Sequence, residues 1–182
     1  MTIIIEYPFL LVLGTIVWTV YRIIFNIMKK NKITMSMFRK EIIYLLFIDY
    51  LLLLIGITIF PIRIGELREP VCSINFIPFN FKMYPNNKIS LIVILGNLVL
   101  LSPMAIFLPI INPKRFDSIK KILVVAFLTS LSIELVQFII ALVGINDIIR
   151  VSDINDIILN TLSAFLGYYA YKNLLSKFTI NS

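Results

Sequence analysis

The chain has 182 residues, of which 59% are hydrophobic, with a mean hydropathy of +0.96 and a net charge of +7. That apolar content is far above a soluble domain's, so most of the surface must face lipid and no separate soluble domain is expected. Histidine is absent and Cys72 is the single cysteine. This excludes histidine acid–base chemistry, histidine metal ligation, a Ser-His-Asp triad, an intrachain disulfide and a cysteine-cluster metal site.

A membrane span needs about 20 mostly apolar residues, and five such runs occur, at about 3–28, 41–60, 89–111, 122–144 and 154–173. The fold expected is an all-α integral membrane bundle of about five helices. Span one carries Glu6 ahead of its apolar run and its basic cluster behind it, the reverse of a cleavable signal peptide. Arg22 in span one and Asp49 in span two lie at similar expected depths, which predicts an ion pair. Span two stops at Pro61, and span three contains Asn97 and the helix-disturbing pair Ser102-Pro103 before ending ahead of Asn112-Pro113. The carbonyl that Pro103 frees must find another partner.

Basic residues gather in 29–40, in 112–121 and in the tail at Lys172 and Lys177. Under five spans these segments share one side, and Lys and Arg favour the cytoplasm. The expected orientation is therefore N-terminus outside and C-terminus cytoplasmic. The net charge is read as a topology signal, and no nucleic-acid partner is implied. Tyr168, Tyr169 and Tyr171 fit an aromatic belt at the inner leaflet.

Span four places Ser130, Glu134, Gln137 and Ala141 at offsets of 4, 3 and 4, on one helical stripe. Span five places Asp153, Asp156, Asn160, Ser163, Gly167 and Ala170 at offsets of 3, 4, 3, 4 and 3. Asp153 is a natural N-cap, and Asp156 falls in the first turn, where the helix dipole favours an anion. Ser163, Gly167 and Ala170 permit a close helix contact. The short connection makes the two spans antiparallel neighbours with facing stripes. Depth then puts Arg150, Asp153 and Asp156 outermost, Gln137 and Asn160 within the outer half and Glu134 deepest. An Asp at a helix centre costs roughly 2.5–3.5 kcal/mol on insertion scales. Such groups point to a polar cleft opening outward, or to a hydrogen-bonded network that only fixes helix packing.

The set Ser130, Glu134, Gln137, then Arg150, Asp153, Asp156, Asn160 and Thr161, then Gly167-Tyr168, resembles the VanZ-like family, whose pattern reads S-x-x-I-E-x-x-Q, R-x-x-D-x-x-D-x-x-x-N-T-x-G and G-Y. Ser163 stands where the family has glycine. Asn75-Phe-Ile-Pro78-Phe79 is similar to its N-x-x-P-F motif, with Arg68 near the usual preceding arginine. Asn97 through Pro103 is similar to its N-x-x-x-F-x-P-x-G, with Leu101 and Ala105 at the phenylalanine and glycine positions. The resemblance covers about 68–172, leaving 1–67 as two further spans and 173–182 as a short cytoplasmic tail.

The resemblance implies a multi-pass bacterial membrane protein tied to teicoplanin-type glycopeptide resistance. Its candidate binding residues are Glu134, Gln137, Arg150, Asp153, Asp156, Asn160, Asn97 and Arg68. The expected partner is a membrane lipid or an amphiphilic glycopeptide, in a monomer or homo-oligomer, with no cofactor or metal. Two alternatives stay open. One is an enzyme acting on an envelope lipid through its carboxylates, with Asp153 and Asp156 able to share a divalent ion. The other is a small lipid transporter or flippase working as a dimer.

Overall fold

A computed structural model describes residues 3–30, 34–64, 73–79, 87–145 and 151–176. Six α-helices carry the fold: α1 Tyr7–Met28, α2 Met35–Ile59, α3 Asn87–Leu100, α4 Ser102–Ile111, α5 Ile119–Val143 and α6 Ile154–Ala170. Among the described residues, four helical stretches are long and apolar enough to cross a membrane: Tyr7–Met28, Met35–Ile59, Leu91–Ile111 (most of α3 with α4) and Ile119–Val143. The 17 residues of α6 run on through a π-helical turn at Tyr171–Leu175. The chain is an all-α polytopic membrane protein.

Two short strand pairs decorate one end, called here the loop end. Strand β1 (Ile3–Ile5) pairs antiparallel with β2 (Ile62–Ile64), tying the start of α1 to the end of α2. Strand β3 (Ser73–Asn75) pairs in parallel with β4 (Val151–Asp153), with Asn75 opposite Asp153. The other, basic end carries the α1–α2 turn and the α4–α5 connection.

The α1–α2 hairpin corrects one expectation. Arg22 does not pair with Asp49. Its Nε donates to Glu41 Oε2 at 2.8 Å and a terminal nitrogen to Oε1 at 2.5 Å, while Asn26 Nδ2 donates to the same Oε1. Asp49 Oδ1 instead accepts from Thr15 Oγ1 at 2.6 Å. The reason is where α2 begins. Thr34 caps it by accepting from the Met37 amide, so the helix starts at Met35, ahead of the apolar run. Glu41 is then six residues into α2, level with Arg22, and Asp49 lies two turns deeper.

Between α3 and α4 the helix breaks at Leu101. Pro103 has no amide hydrogen for the Val99 carbonyl, and the Ser102 hydroxyl donates to that carbonyl at 2.8 Å. The neighbouring Leu100 carbonyl accepts from the Tyr50 hydroxyl at 2.9 Å. Leu101, Met104 and Ala105 around the break pack with Leu54, Ile122, Ala126 and Ala164 in the main core. Gly167 of α6 lies against the break so closely that a Cβ there would collide with the Ser102 carbonyl oxygen and sit 2.7 Å from the Ser102 Cα.

Two predictions follow from these contacts. Gly167→Ala should lower the thermal midpoint in detergent by an overpacking penalty of about 1–3 kcal/mol, whereas Gly96→Ala, with nothing within 4 Å of the new methyl, should not. Asp49→Asn keeps an acceptor for Thr15 and should leave that midpoint in place, while Glu41→Ala strands the Arg22 guanidinium and should lower it more than removing both charges together.

Candidate functional site

The site lies at the loop end, where α5 and α6 meet β3 and β4. Helix α5 buries Ser130 and Glu134 on one face, and α6 buries Asn155, Asn160, Ser163 and Gly167. The stripes read from the sequence do face each other. Asn160 Nδ2 donates to Ser130 Oγ at 2.9 Å, one turn below Glu134.

Glu134, 4% exposed, takes two donors through Oε2: the Ser152 hydroxyl and the Asp153 amide, both at 3.0 Å. Asp153, 2% exposed, caps α6 by accepting from the Asn155 amide, and its Oδ1 also accepts from Asn75 Nδ2 at 3.0 Å. Asn75 Oδ1 in turn accepts from the Ile77 amide. Asn155 Oδ1 accepts from the Phe79 amide at 2.6 Å. Glu134 thus holds β4, Asp153 holds β3, and Asn75 and Asn155 hold the segment that follows.

This geometry corrects the expected ordering of depth. Glu134 was expected deepest and Asp153 outermost, yet they are hydrogen-bonded and level. Helix α5 continues nine residues beyond Glu134, about 13 Å at 1.5 Å per residue. Strand β4 therefore lies beside α5 at the level of Glu134, well short of the helix end at Gly144, which caps α5 with a φ of 70°. Non-helical backbone is tolerated there because the protein itself supplies its hydrogen bonds.

The other candidate residues separate into neighbouring pairs. Asn97 Nδ2 donates to Asp156 Oδ1, joining α3 to the first turn of α6. Gln137 turns away from α6, and its Nε2 donates to the Thr58 carbonyl near the end of α2 at 2.9 Å. Arg68 and Arg150 lie outside the described residues. Asp153 and Asp156 direct their Oδ1 atoms to different partners, Asn75 and Asn97. No group of three His, Cys, Asp or Glu is placed to hold a metal ion among the described residues.

Ser152 and Asn155 were missed by sequence reasoning. Asn155 sits between two aspartates, and its partner is 76 residues away, so no local pattern marks it. Its Nδ2, together with Asn160 Oδ1 and Ser163 Oγ, is buried without a hydrogen-bond partner among the described residues.

A cavity of about 240 Å³ opens beside this network. Its walls are Ile74, Phe76, Leu131, Leu135, Phe138, Ile154 and Ile157, and Glu134, Ser152 and Asp153 also line it. A second, larger groove of about 470 Å³ follows α5 and α6 toward the basic end, past Phe127, Leu162 and Phe165, and shares Ile157 with the first. Above the cavity Phe76, Ile77 and Phe79 project, 74%, 63% and 70% exposed. Phe79 is left-handed, with a φ of 61°, a conformation unusual for a bulky residue. The Asn155 side chain holds it there.

Asn155→Ala should therefore speed hydrogen exchange at the Phe79 amide by about tenfold, the equivalent of about 1.4 kcal/mol. Exchange in α1 should be unchanged, and equal exchange at Phe79 in both proteins would show that the amide is fixed by something else.

A family model described as VanZ/LLP1 matches residues 47–176, from within α2 to just past the π-helical turn. No curated protein and no solved structure matches the chain. The matched stretch contains β3, the α3–α4 break, Glu134, β4 and the polar face of α6. The chain is a multi-pass membrane protein and belongs to the VanZ/LLP1 family, which is linked in general to glycopeptide resistance.

Proposed function

We propose that the loop end binds an amphiphile of the bacterial envelope, a teicoplanin-type lipoglycopeptide or a lipid headgroup, and that this binding underlies a resistance role. The observation that carries the reading is the cavity of about 240 Å³, apolar on most of its wall and bordered by buried carboxylates and a serine hydroxyl. Such a combination suits a ligand with an acyl part and a polar part. The tail would lie against Leu131, Leu135 and Ile157 and continue into the adjoining α5–α6 groove. The polar part would meet the amides and carboxylates around Glu134, Asp153, Asp156, Asn97 and Asn160. Arg68 and Arg150 would take its anionic groups.

The loop end faces outside in this reading, as the distribution of Lys and Arg indicates. Phe76, Ile77 and Phe79 then form an apolar lip at the outer interface. Asn155 Nδ2, Asn160 Oδ1 and Ser163 Oγ, buried without a hydrogen-bond partner among the described residues, also support a working site, because a network serving only to pack helices gains nothing from such atoms.

The experiment is a protection assay in a susceptible Gram-positive host. Leu135→Trp places a large ring in the cavity wall from a half-exposed position, 54% exposed, that tolerates bulk. Together with Arg150→Gln, tested separately, it should remove protection against teicoplanin while the membrane level of the protein stays at that of the unaltered chain. Full protection in both variants would sink the proposal.

A further inference from the structure

The α1–α2 hairpin has a groove of its own, of about 190 Å³, on the far side of the molecule from the cavity beside Glu134. Every residue that lines it precedes residue 47, so the site lies outside the family match. Trp18, Ile23 and Leu45 give it apolar walls, and Arg22, Asn26 and Glu41 give it a polar floor. That floor is neutral overall, because Arg22 and Glu41 form a two-point ion pair. The guanidinium is further fixed against the Tyr44 ring, 5.0 Å from its centroid.

The end of the groove is strongly cationic. Lys29 caps the C-terminus of α1 and Lys30 follows it with a left-handed backbone (φ 49°), and on α2 Arg39 and Lys40 directly follow Phe38, a lining residue. Lys29 lies over Phe25, its Nζ 4.6 Å from the ring centroid. Among the described residues, no carboxylate pairs with any of these four cations, since the nearby acid, Glu41, belongs to Arg22. Lys29, Lys30 and Arg39 are exposed.

We propose that this groove binds an anionic phospholipid, with an acyl chain along Trp18, Ile23 and Leu45 and the phosphate drawn to Lys29, Lys30 and Arg39. The occupant follows from the surroundings. Both walls belong to helices that cross the membrane, so the groove opens to lipid. A cationic end next to a neutral floor favours a net-negative headgroup over a zwitterionic one. Basic residues at an anionic membrane surface attract such headgroups within reach of a Debye length.

Trp18 is the chain's one tryptophan and lines the groove, so its fluorescence reports occupancy directly. The full chain is reconstituted in phosphatidylcholine vesicles containing a minor fraction of acyl-brominated phosphatidylglycerol or, at the same fraction, acyl-brominated phosphatidylcholine. Brominated phosphatidylglycerol should quench Trp18 several-fold more strongly. High salt should remove the excess, as should the Lys30→Gln/Arg39→Gln variant, which alters exposed positions. Equal quenching by the two lipids overturns the proposal. So does an excess that survives both high salt and the double substitution, because the cations would then not be its cause.

Discussion

Backbone that is neither helix nor closed barrel can enter a membrane protein only where each N–H and C=O meets a partner inside the protein. Glu134 meets that requirement for β4. By accepting from the Asp153 amide and the Ser152 hydroxyl it fixes β4 beside α5 just ahead of α6. The rest of the loop end is built on this contact. Strand β4 offers its edge to β3, and Asp153 reaches Asn75 across that pair. Asn155, now at the first turn of α6, reaches the Phe79 amide. Remove the carboxylate and three successive layers lose their support, which is a larger consequence than the loss of one hydrogen bond of about 1.5–3 kcal/mol.

The α3–α4 break solves the same problem by other means. Pro103 takes a donor out of the helix, and two hydroxyls, from Ser102 and Tyr50, satisfy the exposed carbonyls at Val99 and Leu100. The kink brings Ser102 backbone against Gly167, where only a residue without a side chain fits. Asn97, one turn before the break, then reaches Asp156. A local defect in one span thereby fixes how α3 and α6 approach, and with them the wall behind the candidate site.

The sequence made the helices, their polar faces and the Asp153 cap legible, because these depend on a period of 3.6 and on local capping chemistry. Pro103 and the Gly144 stop were legible for the same reason. What escaped were quantities set by distance in space. The Arg22 partner was misassigned because α2 extends six residues ahead of its apolar run, a start signalled only by Thr34. The depth of Asp153 was misread because antiparallel helices with a short connection were taken to meet at their ends, whereas α6 begins level with Glu134, about 13 Å short of the end of α5. Asn155 carries no periodic signal at all. Gln137, on the same stripe as Glu134, turns to the Thr58 carbonyl because the end of α2 lies beside it. A stripe specifies a face of a helix, and the neighbours decide which member of the stripe meets which partner.

The cost of the loop end argues about its purpose. A left-handed Phe79 is a conformation of the kind that costs of order 1–3 kcal/mol. Buried polar atoms without partners among the described residues, as at Asn155 Nδ2, Asn160 Oδ1 and Ser163 Oγ, carry penalties of similar size each. Helices in lipid associate well through small residues alone, as Gly167 already does against Ser102, so holding α5 to α6 requires none of this. At Asn155 and Phe79 the expenditure instead fixes a segment that turns Phe76, Ile77 and Phe79 outward above a mostly apolar cavity bordered by carboxylates. Asn155 and the left-handed Phe79 meet at the loop itself, whereas Asn160 and Ser163 carry the polar face of α6 on toward Ser130.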